Sequence, residues 1–583
     1  MPTISINRKD LDKLLGRRAT DKELDAWLPL VKGEVKDSDA ATGELRIELQ
    51  DSNRPDLWCV EGIARQIRCK LDGKPGAYAY VKAAKGRRDQ VLVEKGLDGV
   101  RPFVGACKAR GYKVTEDGLT QLIQTQEKLA DIFGRKRRTI SIGLYRLRPI
   151  TFPVTYALVG PDEAAFRPLG YDDAMSLREI LDIHPKGQEY AAILAGHARF
   201  PLLRDAAGAV LSFPPIINSR DIGEVRAGDE DLFIEVTGTD LRMVMLAVNI
   251  FAANLHDRGA AIEPVDIVYP YKTEMGKTVR MPQAFGRPRA VTQAEIGKAL
   301  GTELTAKEIR ASLVSYGYAV TESGRHLNVT LPSYRNDLMH PVDVIEDVAI
   351  SRGYHTFGPI MPSAFTVGGL SRLEQLSDKV RELMLGFGFQ EIVSNILGSR
   401  EDLVAKMRLS AGHPAARCVE IDNVMSQSIE CLRQWVLPSL LRVETASSRS
   451  FYPHLLFEVG EVAVPDPDTE TGVRTEVRLS ALLAHANANF SETHSYLALL
   501  CYYLNKPADH LTPIEHPSFI EGRVARIELV GSGGASAGPP PGETGSGGAS
   551  VVGLIGELHP EALERWQIGM PCSMFELALD PLL

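Results

Sequence analysis

The sequence lacks the cysteine pairs that a disulfide framework or a cysteine-held zinc site would need. Its seven cysteines are odd in number and never form a Cys-x-x-Cys pair; they are Cys59, Cys69, Cys107, Cys418, Cys431, Cys501 and Cys572. It also lacks an apolar run long enough to cross a bilayer and a charged-then-apolar leader. We therefore expect reduced thiols in a soluble, cytoplasmic protein that has no contact with a membrane.

The chain has no strong excess of either charge. Its 66 lysines and arginines stand against 75 aspartates and glutamates, which gives a net charge of −9. Any contact with nucleic acid must therefore come from local basic patches. The hydrophobic fraction of 44% and the charged fraction of 24% are typical of globular proteins. A chain of 583 residues is long enough for about four domains.

Two distant segments resemble each other, which predicts a duplicated module. Residues 10–24 read DLDKLLGRRATDKEL, residues 295–309 read EIGKALGTELTAKEI, and the two align without gaps. Each predicts a helix that ends at a glycine, then a second helix N-capped by Thr20 or Thr305. A strand-like alternating stretch and an Arg-x-Asp-Leu sequence follow in both copies.

Only the second copy carries a concentrated group of carboxylates. Asp337 belongs to its Arg-x-Asp-Leu sequence, and an insertion that the first copy lacks leads on to Asp343, Glu346 and Asp347. Pro341 suits the first position of a helix, which would place these three acids on one face. Three explanations are open: charge stabilisation of a helix start, a hard cation such as magnesium, and a partner's basic surface.

The region between the copies alternates helical and strand-like segments, which predicts a mixed α and β domain. In the strand DLFIEVTGTD the period of two directs Phe233, Glu235 and Thr237 to the same face. A carboxylate and a hydroxyl on an otherwise apolar strand could line a pocket. The competing interpretation is that both side chains face water, as on any half-exposed strand.

A run of four basic residues lies in the same region, at Arg135, Lys136, Arg137 and Arg138. Such a run could hold phosphates. The sequence alone favours a solvated turn.

The C-terminal part again mixes helices and strands. RVARIELV and VVGLIGELH predict antiparallel neighbours. Between them, residues 531–550 contain GSGGAS twice, and a segment of such low complexity cannot bury a core. We expect a disordered loop there.

Taken in order, these segments resemble the β subunit of phenylalanyl-tRNA synthetase, of the archaeal and eukaryotic cytosolic type. The resemblance is carried by MPTISINRKDLDKLLG, NRPDLWCVEGIAR, HPKGQEYA, LSFPPIINS, FIEVTGTD, DVIEDVAISRGY, LRQWVLPSLL, FEVGEV, EHPSFIEGRVARI and GELHPE. It covers essentially the whole chain except the loop. It implies a multidomain α+β fold: duplicated helix-turn-helix-strand modules (1–75 and 280–355), a mixed α/β editing domain (95–275) and a class II synthetase-like antiparallel-sheet domain (360–583).

The resemblance also implies partners and a metal. It implies an α subunit in an α2β2 heterotetramer that charges the tRNA for phenylalanine. It further implies magnesium shared with the α subunit and held by Asp337, Asp343, Glu346 and Asp347.

For the central domain the resemblance implies hydrolysis of tyrosine wrongly attached to the tRNA for phenylalanine. Glu235 would recognise the phenol, while Thr237, Ser219 and the backbone near Leu211 would line the pocket. The physical need is clear, because an apolar pocket rejects an analogue with one added hydroxyl only about a hundredfold. An oriented water, helped by the tRNA's terminal hydroxyl, would carry out the hydrolysis.

Two departures from the family pattern define the rival functions. The family has an aspartate soon after Ser-Ile-Gly, where this chain reads Tyr145-Arg146, so a noncatalytic scaffold with a decayed editing site is one alternative. A free-standing class II ligase is the other. It is disfavoured because Phe457 precedes Glu458, where an arginine would hold ATP. We expect the complex to use ATP without this chain binding it.

Overall fold

The computed structural model describes residues 2–39, 41–50, 53–82, 88–284, 286–424, 426–506, 510–529 and 550–583. The chain divides into two compact units, Met1–Met361 and Pro362–Leu583. Both units combine helices with β-sheets, which confirms the multidomain α+β class. Among the described helices, none is both long and apolar enough to cross a bilayer.

The first unit begins with a small three-stranded sheet and three helices. The elements are β1 (Thr3–Asn7), α1 (Arg8–Leu15), α2 (Asp21–Trp27), β2 (Gly33–Asp39), β3 (Glu44–Leu49) and α3 (Val60–Asp72). Helix α1 ends at Gly16, whose φ of 72° suits a residue without a side chain. Thr20 caps α2, and Glu23 completes the capping box. The predicted cap is therefore confirmed.

The central part of the first unit is built on a ten-stranded sheet. Its elements are β4 (Gln90–Val93), β5 (Phe103–Arg110), α4 (Glu116–Lys128), β6 (Ile140–Arg146), β7 (Val154–Val159), β8 (Ala165–Phe166), β9 (Met175–Ser176), α5 (Leu177–Ile183), α6 (Pro185–Tyr190), β10 (Phe200–Arg204), β11 (Val210–Phe213), β12 (Ile217–Asn218), α7 (Arg220–Gly223), β13 (Leu232–Gly238), α8 (Leu241–Asp257), β14 (Ala261–Thr273) and β15 (Gly276–Met281). The strand order is β12-β11-β10-β7-β4-β14-β5-β13-β6, and β15 pairs with β14.

Strand β13 lies between β5 and β6 and is antiparallel to both. Helix α8 packs across β5 and β13, so every residue of β13 is buried. The interpretation that Glu235 and Thr237 face water is therefore wrong, because the strand is central and covered rather than half-exposed.

The first unit ends with a second small sheet and its helices. The elements are β16 (Arg289–Thr292), α9 (Gln293–Leu300), α10 (Ala306–Val314), β17 (Ala319–Ser323), β18 (His326–Thr330) and α11 (Pro341–Arg352). Helix α9 ends at Gly301, with a φ of 64°. Thr305 caps α10 in a capping box with Glu308, as the sequence predicts. Pro341 is the first residue of α11, which confirms its expected place.

The two Arg-x-Asp sequences adopt the same buried geometry. Arg54 donates to both carboxylate oxygens of Asp56, at 2.8 and 2.9 Å, and Arg335 does the same to Asp337, at 2.9 and 2.6 Å. Both guanidinium groups lie over the ring of Tyr316, at 5.9 and 5.6 Å. The two copies therefore meet around one aromatic ring.

The second unit contains a seven-stranded sheet. Its elements are α12 (Arg372–Gly386), β19 (Gln390–Glu391), β20 (Leu397–Gly398), β21 (Val419–Glu420), β22 (Cys431–Leu432), α13 (Leu437–Ser447), β23 (His454–Pro465), β24 (Val473–Ala484), α14 (Phe490–Leu504), β25 (His510–Pro513), β26 (Phe519–Leu529), β27 (Ser550–Leu558), α15 (Pro560–Arg565) and β28 (Cys572–Ala578). The sheet order is β19-β23-β24-β28-β27-β26-β25. All its pairs are antiparallel except β19 with β23.

Strands β26 and β27 pair as the sequence predicts, with Ala525 opposite Ile555. The loop predicted over 531–550 lies outside the described residues, apart from Ser550, which begins β27.

Candidate functional site

A cavity of about 290 Å³ opens beside strands β6, β11, β12 and β13 of the central sheet. Its polar lining comes from Gln126, Arg137, Ser141, Lys186, Ser212, Asn218, Glu224 and Glu235. The described lining residues include no histidine and no cysteine. The cavity therefore offers hydrogen-bonding groups rather than a nucleophile activated by a histidine.

Glu235 is buried at the inner end of this cavity and is held by Tyr145. The Tyr145 hydroxyl lies 2.8 Å from Oε2 of Glu235 and 2.9 Å from Oγ of Ser212. Because a phenol has one proton, Tyr145 donates to the carboxylate and accepts from Ser212. The other carboxylate oxygen, Oε1, is buried and has no hydrogen-bond partner in the described part of the chain. Glu235 therefore keeps one buried acceptor without a hydrogen bond.

Burial raises the pKa of Glu235 to about 7, although the hydrogen bond from Tyr145, the charge of Arg101 and the nearby hydroxyl of Thr237 oppose this shift. A buried carboxylate is costly to ionise, and these three favourable neighbours offset only part of that cost. Glu235 consequently changes its charge near neutral pH.

Gly143 explains how Tyr145 reaches the carboxylate. Gly143 stands opposite Glu235 in the pairing of β6 with β13. A Cβ atom at Gly143 would lie only 2.0 Å from the Tyr145 hydroxyl oxygen. The missing side chain thus makes room for the phenol that holds Glu235.

Thr237 is fully buried and does not line the cavity. Its hydroxyl accepts from Nε of Arg101 at 3.0 Å and lies 2.9 Å from Oγ of Ser141, which does line the cavity. Burial lowers the pKa of Arg101 to about 10. Arg101 could not be identified from the sequence, because a lone arginine before a strand carries no pattern.

Ser219 and Leu211 are also fully buried and lie behind the cavity wall. The backbone N–H of Ser219 donates to the carbonyl of Leu211 at 2.8 Å, and the Ser219 hydroxyl caps α7. Of the four residues expected in the pocket, Glu235 alone lines it, while Thr237, Ser219 and Leu211 shape its wall.

Arg146 does not block the cavity. Its side chain donates to the backbone carbonyl of Asp221, and it is not among the lining residues. Because neighbouring strand residues point to opposite faces, Tyr145 faces Glu235 while Arg146 faces away. The departure from the family pattern therefore leaves this wall open.

The acidic cluster separates into two buried and two outer carboxylates. Asp337 and Asp347 both accept from Nη2 of the buried Arg335, at 2.6 and 2.8 Å. Burial alone would raise the pKa of Asp337, but Arg335 outweighs it and lowers that pKa to about 2. Burial raises the pKa of Asp347, whose Oδ2 also accepts from Tyr318 at 2.6 Å.

The two outer carboxylates have different partners. Asp343 accepts from the backbone N–H groups of Met339 and His340, both at 2.7 Å, and so caps α11. Glu346 pairs with Lys32 of the first module at 2.7 Å. No group of three or more potential metal-ligating side chains occurs among the described residues. The four carboxylates thus do not converge on a magnesium site in this single chain.

Glu458 in the second unit has an internal partner. Arg433 donates to it at 2.8 Å, and both side chains are buried. A Cβ atom at Gly460 would lie 2.2 Å from Nη2 of Arg433. The space beside Glu458 is therefore filled by the chain itself.

Comparisons with known proteins all indicate one family, and together they cover the whole chain. Three family models match: the Phe-tRNA synthetase beta subunit B1 domain over residues 1–73, the tRNA synthetase B5 domain over 290–354, and the phenylalanyl tRNA synthetase beta chain CLM domain over 359–579. The phenylalanine–tRNA ligase beta subunits of Borrelia hermsii and Treponema pallidum are each 36% identical, with 100% of both chains covered.

A solved structure is also similar. It is an N-terminal fragment of the phenylalanyl-tRNA synthetase beta subunit from Pyrococcus horikoshii, with 36% identity and a TM-score of 0.57, covering 60% of this chain and 100% of the fragment. The full-length relatives named above are bacterial, so they do not support the expected restriction to the archaeal and eukaryotic cytosolic type. Because the likeness to the relatives extends over their whole length, this chain belongs to the family of phenylalanine–tRNA ligase beta subunits.

Proposed function

We propose that this chain removes tyrosine wrongly attached to the tRNA for phenylalanine, and that the cavity beside β6 and β13 is the hydrolytic site. The observation that carries the proposal is the buried, unpartnered Oε1 of Glu235, a residue that lines the cavity. A tyrosyl group whose phenol reaches Oε1 would complete the hydrogen bonding there.

The same oxygen accounts for the choice between tyrosine and phenylalanine. Leaving a buried acceptor unsatisfied costs about 1–3 kcal/mol, and more for a charged group. A phenylalanyl group would cover Oε1 without satisfying it, whereas a tyrosyl group would donate to it. A site built to hydrogen-bond a hydroxyl therefore discriminates far better than an apolar pocket, by up to about 10⁵.

Hydrolysis in this site would use an oriented water. The described lining contains no histidine or cysteine, so a covalent intermediate has no evident nucleophile–base pair. Ser141 and Asn218 offer polar atoms to the cavity. Thr237, Ser219 and Leu211 would act indirectly, by fixing the wall through Arg101 and through the Ser219–Leu211 backbone bond. The tRNA's terminal hydroxyl would help to place the water.

The other expectations are proposals for the assembled complex. An α subunit in an α2β2 heterotetramer, the tRNA for phenylalanine and a cytoplasmic location follow from family membership. The two flanking modules and the C-terminal domain are supported by the matched ranges 1–73, 290–354 and 359–579, whereas the editing role of 95–275 rests on the family resemblance and on the cavity. The archaeal and eukaryotic type rests on the Pyrococcus fragment. ATP use without ATP binding by this chain is supported by the buried Arg433–Glu458 pair.

Magnesium shared with the α subunit and held by Asp337, Asp343, Glu346 and Asp347 is proposed on the family resemblance alone. Their present contacts do not fit a site within this chain, since Arg335 already neutralises the buried pair. We assign no catalytic step to the metal.

The test uses the purified complex with its α subunit. The substrate is the tRNA for phenylalanine that carries tyrosine, called Tyr-tRNA below. We expect Glu235→Ala to remove most deacylation of this substrate, while charging of the tRNA with phenylalanine is retained. Glu263→Ala, which alters an outer carboxylate of the same domain, is the matched control. Wild-type complex that leaves mischarged tRNA intact would favour the noncatalytic scaffold instead, and full deacylation by Glu235→Ala would show that Glu235 does not recognise the phenol.

A further inference from the structure

The basic turn at 134–138 stands at the mouth of the cavity and has an unusual backbone. Arg135, Lys136 and Arg137 have φ values of 50°, 53° and 63°, in the left-handed region. Each such residue other than glycine costs about 1 kcal/mol or more. Three in succession are a local strain of the kind that accompanies functional sites.

Arg137 and Arg101 fix this turn to the cavity wall. Arg137 donates to the carbonyls of Pro215 and Ile216, at 3.1 and 2.8 Å, and both of these residues line the cavity. The buried Arg101 donates to the carbonyls of Arg137 and Arg138, at 3.2 and 3.3 Å, as well as to Thr237. The position of the turn is therefore tied to the strand that carries Glu235.

The remaining three cations of the turn are exposed. They are Arg135, Lys136 and Arg138, and none of them has an ion-pair partner in the described ranges. Exposed cations are commonly paired elsewhere in this domain, as in Arg148 with Glu230 and Arg178 with Asp162. Three unpaired cations on one short turn of an acidic chain form a local positive surface.

We propose that this turn binds phosphates of the single-stranded acceptor end of the tRNA and thereby guides the esterified terminus into the cavity. The inference rests on the proposed function, which brings an RNA-linked ester to this mouth. A cavity of about 290 Å³ is small for a ligand site, so it holds the aminoacyl end and leaves the attached phosphates outside. Single strands are bound by positive surfaces that track the backbone.

The test compares two substrates of the α-containing complex: Tyr-tRNA for phenylalanine, and a tyrosine ester of adenosine, which carries no phosphate. In the variant Arg135→Ala/Lys136→Ala/Arg138→Ala we expect KM for Tyr-tRNA to rise at least about tenfold. The slope of log KM against the logarithm of the salt concentration should fall by about 2. Hydrolysis of the adenosine ester should stay within about twofold of wild type, since the cavity itself is unaltered.

The matched control is Lys95→Ala/Lys113→Ala/Lys272→Ala, which removes three exposed cations of the same domain that do not line the cavity. It should leave both substrates unaffected. Equal losses on both substrates in the turn variant would show a structural role, and an unchanged KM would refute phosphate binding. Failure to assemble with the α subunit would show that the turn binds an acidic protein surface instead. If wild type hydrolyses neither substrate, the proposed function itself fails.

Discussion

The phenolic oxygen of Tyr145 lies 2.8 Å from Oε2 of Glu235, and both side chains are almost completely buried. This bond fixes one oxygen of the carboxylate, while the other has no hydrogen-bond partner among the described residues. Under the proposed function Tyr145 is a positioning residue, because it would act on a substrate only through Glu235.

Replacing Tyr145 by phenylalanine removes this bond and keeps the ring. A hydrogen bond to a charged group contributes about 1.5–3 kcal/mol. We expect Tyr145→Phe to slow deacylation of Tyr-tRNA about tenfold or more in kcat/KM, which corresponds to about 1.4 kcal/mol. Charging with phenylalanine should be unaffected. The pH profile of deacylation should also shift upwards, since a hydrogen bond that lowers the pKa of Glu235 is lost.

The control for this variant is Tyr269→Phe. Tyr269 is another buried tyrosine of the same domain, and its hydroxyl donates to the carbonyl of Val104 at 2.6 Å, away from the cavity lining. Equal losses of deacylation in the two variants would mean that the effect is one of stability alone.

The raised pKa of Glu235 predicts a pH-dependent stability. A carboxyl whose pKa rises from 4.5 in the unfolded chain to about 7 in the folded chain lowers the free energy of unfolding as pH increases through this window. The full effect above pH 7 is about 3 kcal/mol. Glu235→Gln removes the ionisation, so its gain in thermal midpoint over wild type should be small at pH 5 and largest at pH 8. A difference that does not vary with pH would contradict the assignment.

Substitutions at the neighbouring residues Asp347 and Glu346 should lower the free energy of unfolding by different amounts. Asp347→Ala leaves the buried Arg335 with one carboxylate fewer and should lower the free energy of unfolding by about 3–5 kcal/mol, even with a chelator present. Glu346→Ala, its neighbour and control, breaks a surface pair and should cost at most about 1 kcal/mol. Urea unfolding of both variants measures this difference, and equal costs would contradict the buried charge network.

Sedimentation of the complex with and without magnesium completes this comparison. If the metal joins the two subunits, removing it should loosen the wild-type assembly, and Glu346→Ala should loosen it without unfolding the chain. An assembly that is unaffected by either change would leave the helix cap and the three ion pairs as the whole explanation of the cluster.

Local signals in the sequence predicted the local structure. The caps at Thr20 and Thr305 and the helix start at Pro341 depend on neighbouring residues, and all three were correctly predicted. The period of two likewise grouped Glu235 with Thr237. It could not show that β13 is covered on both faces, because burial depends on which strands and helices pack against it.

Contacts between residues that are distant in sequence could not be predicted. Arg335 stands 12 residues before Asp347, and the spacing of the acids does not show that these two side chains form an ion pair. Tyr145 was treated as a departure from a pattern, although it is the residue that holds Glu235. In both cases the decisive contact joins groups that no short motif contains.

The meeting of Arg54 and Arg335 over Tyr316 has a practical consequence for dissecting the protein. The Tyr316 hydroxyl also donates to the carbonyl of Leu30. One tyrosine of the second copy therefore contacts both Leu30 and Arg54 of the first copy. A truncation that deletes the first copy would expose the Arg335–Asp337 pair, and one that deletes the second copy would expose the Arg54–Asp56 pair and remove the ring. Shortened versions made for crystallisation or binding studies should therefore retain both repeats together, whichever intervening segment is trimmed.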